Sequence, residues 1–278
     1  TLVNALVAEK ISIVTPKPQT TRHSILGLRS EPDCQMIFVD TPGIHARRGK
    51  LINRAMNRTA GASASGADLL LLVVEATGWR AADDFALARI RESSVPAVLV
   101  VNKIDLVRPR SALLPFLADA AGRHDFVAVV PVSARREENL DRLLDCIRER
   151  LPEGPPLFPT DMTTDRGREF RVAEILREKL LMQLEDEVPY GLAVEVRALE
   201  EQEDLVMIDV LIWVDRDSHR GIVIGKGGQR LKKIGTAARQ DIEQLLSRQV
   251  HLQTRVKVKE NWSDSALALR QLGYEEPG

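Results

Sequence analysis

The hydrophobic pattern alternates between two periods along the first half of the chain. Apolar runs at 24–29, 34–40, 69–74, 97–101 and 126–130 are short and nearly continuous, as expected of strands buried in a sheet. Between them, apolar positions recur at helical spacing near 1–7, 51–62, 83–92, 112–121 and 139–150. The last of these helices carries Leu140, Leu143, Leu144 and Ile147 as one stripe. Glu31-Pro32-Asp33 turns between the first two strands and predicts an antiparallel pair at the edge of an otherwise parallel sheet. Residues 151–159 then break all periodicity, and four prolines and one glycine in nine residues predict an extended linker.

Beyond the linker the order changes to helix, strand, strand, short helix, glycine loop, long helix, strand. The first helix, 169–184, places Phe170, Ala173, Ile175, Leu176, Leu180 and Leu181 at helical spacing. Strands follow at 192–199 and 205–214, joined by the acidic connection 200–204. Gly221-Ile222-Val223-Ile224-Gly225-Lys226-Gly227-Gly228 begins a helix that contains Leu231, Ile234, Ala238, Ile242 and Leu245. Two domains are therefore expected, 1–150 and 161–278, with 151–160 as the linker.

Each buried strand of the first half ends in polar residues, and in an open α/β sheet the carboxyl edge is where ligands bind. Met36-Ile37-Phe38-Val39 delivers Asp40, followed by Thr41-Pro42-Gly43. An acid at a strand tip is placed to hold hydrated Mg²⁺, and a glycine without Cβ lets a backbone N–H approach a phosphate. The same tetrapeptide also forms ordinary turns. Ala97–Val101 leads to Asn102-Lys103-Ile104-Asp105, where a carboxylate at Asp105 can accept from both N1–H and the 2-amino group of guanine. Adenine offers an acceptor at N1, so mispairing leaves a buried charge unsatisfied at roughly 1–3 kcal/mol or more. A simpler role for Asp105 is to cap the following helix. The strand 126–130 leads to Pro131-Val132-Ser133-Ala134, whose backbone can donate to the guanine O6.

These three segments resemble the third, fourth and fifth motifs of the translation-factor class of GTPases. Pro18-Gln19-Thr20-Thr21-Arg22 resembles the switch I motif of its Era branch, which implies that Thr21, with Thr20 as the alternative, reaches Mg²⁺ and the γ-phosphate. The resemblance implies catalytic roles for Thr21 and Gly43, and metal contacts from Thr21 and Asp40. It implies nucleotide contacts from Asp40, Thr41, Pro42, Gly43, Asn102, Lys103, Asp105, Ser133 and Ala134, with GTP or GDP and Mg²⁺ as cofactors. No G-x-x-x-x-G-K-[ST] phosphate loop occurs in the sequence. Thr1–Val7 resembles the first Era helix, directly after the Gly-Lys-Ser those proteins carry, so the loop and its strand are expected before residue 1. Without them the chain is expected to be inactive as a GTPase. Ile44 stands where Ras-like enzymes place a water-orienting glutamine, so slow hydrolysis is expected, dependent on RNA, a partner or a monovalent cation.

The order of elements after the linker resembles a type II KH domain, and Gly225-Lys226-Gly227-Gly228 matches its G-x-x-G loop. The fold class expected is thus α/β, a doubly wound P-loop GTPase domain with a mostly parallel sheet, followed by an α+β KH domain. Such a loop lets an RNA backbone pack on protein backbone while Lys226 meets phosphates, with Arg230, Lys232 and Lys233 following it. Charge supports this reading. The chain as a whole carries −1, yet 216–259 holds eleven Lys/Arg against three Asp/Glu, and 161–215 holds six against fifteen. Aromatic residues are 4% of the chain, so base recognition is expected to depend on groove shape and hydrogen bonds more than on stacking.

Composition narrows the remaining classes. With 44% hydrophobic and 28% charged residues the chain is of globular type, and its longest clearly apolar stretch, 69–74, is one strand long. Cys34 and Cys146 have no partner-like spacing and suggest reduced thiols in a cytoplasm, and the five histidines are assigned to surface or packing roles. One GTPase domain followed by a KH domain and a tail from Val258 to Tyr274 resembles the Era GTPases along essentially the whole chain. That resemblance implies binding to the 3′ region of small-subunit ribosomal RNA, assistance to small-subunit assembly, and peripheral association with the inner face of the membrane; a monomer is the expected state. Two alternatives remain at this point: an RNA-binding protein with a degenerate, non-hydrolysing GTPase scaffold, or a related KH-like ribosome-assembly GTPase. The latter group carries two GTPase domains and lacks the G-x-x-G loop.

Overall fold

The computed structural model describes residues 1–17, 20–43 and 51–274. The expectation for Ile44 and those for Pro18 and Gln19 lie outside the described residues. The chain divides into two compact units: the first holds 1–12, 24–43 and 56–165, and the second holds 166–274 together with the described residues of 13–23 and the start of α2 up to Ala55.

In the first unit, α1 (Leu2–Val7) precedes the antiparallel pair β1 (Ile25–Glu31) and β2 (Cys34–Asp40). Helix α1 and the segment that follows it pack so closely on β1 that a Cβ at Gly27 would lie 2.6 Å from Ile11 Cδ1 and 2.8 Å from Val7 Cγ2. After α2 (Leu51–Ser65) the period switches to β-α-β-α-β: β3 (Leu70–Glu75), α3 (Ala81–Arg91), β4 (Ala97–Asn102), α4 (Leu113–Ala121) and β5 (Ala128–Pro131), closed by α5 (Leu140–Arg148). Strands β3, β4 and β5 form a parallel sheet with β4 in the centre. Val98 to Val101 are all 0% exposed because β4 feeds two cores. Val98 and Val100 join Leu140, Leu143 and Ile147 of α5, while Leu99 and Val101 join Leu87 and Ile90 of α3 and Ala120 of α4. A strand covered on both faces has no reason to alternate, which is why its sequence reads as an unbroken apolar run.

One expectation is corrected here. The β1–β2 pair makes its own two-stranded sheet among the described residues, and it is not hydrogen-bonded to the parallel one. It joins the core through side chains instead, with Met36 and Phe38 packed beside Val98, Val100 and Leu71. The stretch after α5 is hydrogen-bonded to the β1–β2 hairpin. Gln35 accepts from Leu157 N (2.8 Å) and Phe158 N (2.9 Å), Leu28 N donates to the Thr163 carbonyl (2.8 Å), and Leu26 N donates to Asp165 (2.9 Å). Proline removes backbone donors and holds the chain extended, so the segment lies along the hairpin and the first unit runs to Asp165.

The second unit contains α6 (Arg168–Gln183), β6 (Leu192–Glu201), β7 (Leu205–Val214), α7 (Asp217–Ile224), α8 (Gln229–Leu246), β8 (Gln249–Val258) and α9 (Ala266–Gln271). Strand β7 is central, antiparallel to β6 and parallel to β8, with a bulge in β6 between Val196 and Ala198. Val206, Ile208, Val210, Ile212 and Val214 point to one face and pack with Val172, Leu176 and Leu180 of α6 and Ile234, Ala238 and Ile242 of α8. Gly221 to Ile224 form the last turn of α7 and do not open the long helix, which starts at Gln229. Helix α7 stops at Gly225 because its φ of 71° leaves the helical region. The tail is anchored by Trp262, fully buried with its indole N–H donating to the Gly191 carbonyl at 3.0 Å. Among the described residues no helix is long and apolar enough to cross a membrane.

The described residues of 13–23 are held in the second unit by polar contacts. The buried Arg22 guanidinium donates to the carbonyls of Leu192 (2.7 Å), Pro189 (3.2 Å) and Tyr190 (3.2 Å). Arg177, paired with Glu174 at 2.6 Å, donates to the Thr20 carbonyl, and Val14 N donates to Glu178 at 2.8 Å. His23 stacks on Tyr274 at 4.2 Å and meets the edge of Phe170 at 5.2 Å. Burial, reinforced by nearby Arg177, pushes its pKa down to about 4, and this outweighs the opposing pull of Glu174. The unfolded chain binds that proton more readily, so the contribution of neutral His23 is complete above about pH 6.5 and is lost as pH falls toward 4, up to about 3 kcal/mol. Urea denaturation followed across this range should show the second unit losing stability, and His23→Phe, which keeps the stacking but cannot be charged, should flatten that loss. A parallel decline in parent and variant would contradict the assignment to His23.

Candidate functional site

The carboxyl edge of the parallel sheet gathers most of the polar strand tips. Asn102 ends β4 and accepts from Ala134 N at 3.1 Å and from Lys103 N at 2.7 Å, so one side chain ties two segments together. Lys103 has φ 63°, a left-handed conformation uncommon outside glycine, and such strain concentrates at functional sites. Its ammonium pairs with Glu75 at the tip of β3, and Glu75 also receives Arg80 at 2.5 Å. Burial opposes ionisation of Glu75, but the two cations more than offset it and hold its pKa below the usual range.

Asp105 is buried, and Ser133 Oγ donates to it at 2.7 Å. That hydrogen bond is the largest influence on its pKa and, with Arg136 and Arg135 nearby, outweighs burial and lowers it. A carboxylate kept ionised beneath the sheet edge is an acceptor for two parallel N–H donors, the pattern presented by the edge of guanine. The Val132 carbonyl receives Ile104 N at 3.2 Å, and Ser133 and Glu138 exchange two backbone hydrogen bonds of 3.1 Å. Asn102, Lys103, Asp105, Ser133 and Ala134 are therefore brought together by direct bonds. Asp40, Thr41, Pro42 and Gly43 stand at the end of β2 in the same unit, where Ser12 Oγ donates to Asp40 at 2.7 Å. Thr21 belongs to the second unit, and the Thr20 hydroxyl is used locally, on the Lys17 carbonyl at 2.6 Å.

Glu75 and Ser12 are site residues that the sequence reading passes over. Glu75 ends an apolar strand as Asp40 does, so the strand-tip rule alone points to it. Nothing local marks Ser12.

The second candidate site is the turn between α7 and α8. Gly225, Gly227 and Gly228 have φ of 71°, 57° and 77°, all in the region that favours glycine. A Cβ at Gly225 would lie 2.7 Å from Arg230 Cβ, whereas Gly227 and Gly228 face open space. Lys226, Arg230, Lys232 and Lys233 are exposed, and Arg230 is turned back to donate to the Ile222 carbonyl at 2.8 Å. The loop thus offers bare backbone beside cations, with one of those cations already engaged.

Comparison with known proteins matches a family to each part of the chain. A family of 50S ribosome-binding GTPases matches residues 1–103, and the KH domain family matches residues 187–263. Curated relatives called GTPase Era include those of Stenotrophomonas maltophilia strain K279a, 46% identical over 99% of this chain and 92% of the relative, and Coxiella burnetii strain Dugway 5J108-111, 42% identical over 99% and 93%. Among solved structures, Era in complex with MgGDPNP and nucleotides 1506-1542 of 16S ribosomal RNA is 38% identical with a TM-score of 0.95, covering 99% of this chain and 94% of that one. An Aquifex aeolicus Era variant bound to GDP and AlF4⁻ matches with the same values.

Replacing Gly225 with Ala should destabilise the second unit by about 1–3 kcal/mol, since the new Cβ meets both an unfavourable φ and the Arg230 side chain. Gly227→Ala meets only the φ penalty and should cost less. Urea unfolding of the two variants measures the difference, and equal losses would remove the special role of Gly225.

Proposed function

The chain belongs to the Era family of GTPases, and from that premise we propose that it is a GTP-binding, GTP-hydrolysing switch that binds the 3′ region of small-subunit ribosomal RNA and assists assembly of the small ribosomal subunit. The observation that carries the nucleotide half is the buried Asp105, kept ionised by Ser133 and set beside Asn102 and the Ala134 N–H. The residues present fit guanine: Asp105 accepts from its N1–H and 2-amino group, Asn102 braces the two loops, and Ala134 N lies beside the base-reading acid. For Mg²⁺ the hard oxygen ligands proposed are Asp40, at the tip of β2, and Thr21. The metal neutralises phosphate charge when bound. Thr41, Pro42 and Gly43 line the γ-phosphate side, and Lys103 lies along the base. A monovalent cation, the RNA or a partner completes the charge needed for hydrolysis.

The second unit supplies the RNA half, through backbone left open at Gly227 and Gly228, held in place by Gly225, and phosphate contacts from Lys226, Arg230, Lys232 and Lys233. The domain division proposed is 1–150, 151–160 and 161–278, with action in the cytoplasm as a monomer and peripheral association at the inner face of the membrane.

Base choice tests the first half. In the chain preceded by a phosphate-loop segment, Asp105→Asn should weaken guanosine nucleotides by one to two orders of magnitude and favour xanthosine nucleotides, whose 2-oxo group accepts from the new amide. Fluorescent-nucleotide competition reads both. Equal xanthosine and guanosine affinities in the variant would sink the assignment.

The RNA half can be tested on residues 1–278 directly. Binding of single-stranded RNA should weaken with salt at roughly −0.7 log units per phosphate contact per log unit of salt. Lys226→Asp with Gly227→Asp should abolish it while circular dichroism stays unchanged, and neutralising Lys232 or Lys233 should lower the slope by about one contact where the side chain faces RNA. Unchanged affinity in the folded double variant would reduce Gly225 to Gly228 to a turn.

A further inference from the structure

The sheet of the second unit carries its long helices α6 and α8 on one face, and its other face holds a cavity of about 410 Å³. Because side chains alternate along a strand, Val256 and Val258 of β8 pack against the core while Arg255, Lys257 and the next residue in step, Lys259, line this cavity, which Val258 also borders. Asp209, Leu211 and Trp213 of β7 line it from the neighbouring strand, Arg197 from the bulge of β6, and Gln271 from α9. None of these residues belongs to the glycine loop or its flanking helices.

The charge in this cavity is only partly balanced. Arg255 pairs with Asp209 at 2.9 Å and Arg197 with Glu195 at 2.9 Å. Lys259 Nζ sits 3.7 Å from the centre of the Trp213 ring, and Lys257 has no ion pair among the described residues. Four cations against two carboxylates leave an excess of two. Trp213 itself is 4% exposed, and its indole N–H is buried without an acceptor among the described residues. Buried donors are nearly always satisfied, so one on the wall of a cationic cavity points to an anionic oxygen as its missing partner.

We propose that this face is a second phosphate-binding site, which holds the backbone of the RNA strand beyond the segment gripped by the glycine loop. Alternate residues of a strand stand about 6.6 Å apart, so Arg255, Lys257 and Lys259 form a ladder whose rungs match successive phosphates of an extended strand. Lys257 supplies the unpaired charge, Arg255 and Arg197 turn from their carboxylates, and Trp213 donates its N–H. The cavity walls include two aliphatic side chains, Leu211 and Val258, but four of its nine lining residues are cations spaced along strands, and that regular spacing of charge favours an RNA backbone over a lipid surface. The proposal rests on the reading of the second unit as an RNA-binding module.

The test compares two fluorescein-labelled single-stranded RNAs by anisotropy at several salt concentrations, one of about six nucleotides, enough for the four that a KH groove clamps, and one several times longer. For Lys257→Gln with Lys259→Gln, the salt slope on the long RNA should fall by about two contacts of 0.7 each, with the short RNA unaffected. Trp213→Phe keeps the ring but loses the donor, and should weaken the long RNA about tenfold. An unchanged slope and affinity on the long RNA in both variants, while Lys226→Asp with Gly227→Asp abolishes binding, would overturn the second site and leave the KH reading standing. No binding of either RNA by the parent would overturn both. Phosphatidylglycerol vesicles are the remaining arm, and loss of vesicle binding in the Gln variant with the RNA slope intact would assign the site to lipid headgroups and overturn this proposal.

Discussion

Val98, Leu99, Val100 and Val101 have no access to water on either face of the sheet, and much of the first unit follows from that burial. Each such side chain is worth roughly 1.5–3 kcal/mol when removed from water, so the strand cannot shift by one residue without exchanging two filled cores. Polar groups are excluded until the chain reaches the edge, and Asn102, Lys103 and Asp105 arrive there in fixed register. The neighbouring strand is locked to the same register, since Val74 pairs with Val101 and Glu75 with Asn102. Burial in the middle therefore sets position at the end, and a base-reading acid needs that kind of positional control.

In the second unit the same constraint acts on one face only. Strand β7 alternates, with Val206, Ile208, Val210, Ile212 and Val214 turned to the helices and Asp209, Leu211 and Trp213 turned away. A half-covered sheet leaves a face on which charge can be placed without disturbing the core. The glycine loop obeys a different rule, since positive φ at three of its four residues makes backbone the exposed surface. Side chains are presented by the sheet face and main chain by the loop.

What could be read from the sequence was local. The run 97–101 and its polar tip announce themselves because burial erases alternation, and Gly225 to Gly228 are visible because glycine is costly unless φ requires it. Long-range pairing leaves no such trace. Glu75 meets Lys103 across 28 positions, and Ser12 meets Asp40 across 28. Arg22 reads as part of a polar loop, yet its guanidinium is buried among carbonyls about 170 residues away. The helix boundary near Gly221 is hidden for another reason: Ile222, Val223 and Ile224 suit the end of one helix as well as the start of the next, and only the φ of Gly225 decides between them. The basic half of the second unit likewise reads as one patch, although Arg255, Lys257 and Lys259 lie on a different surface from Lys226, Lys232 and Lys233.

A net charge of −1 gives a polyanion no reason to approach the chain as a whole. At physiological salt, fields from exposed charges fade within about 8 Å, so what a phosphate meets is the local balance. That balance is set by which carboxylates are already engaged. Glu201 holds Arg248 at 3.0 Å and also binds Arg168, Glu174 holds Arg177, and Asp241 holds Lys179 at 2.5 Å. Lys226, Lys232, Lys233 and Lys257 have no ion pair among the described residues. Glu174 and Glu201 of the acidic half and Asp241 of the basic half are thus engaged with structural arginines and lysines, while lysines of the basic half stay open to solvent. Exposed ion pairs are worth at most about 1 kcal/mol each, so their stability is secondary to this sorting. It leaves positive charge at the loop and on the open sheet face of a chain that is nearly neutral overall.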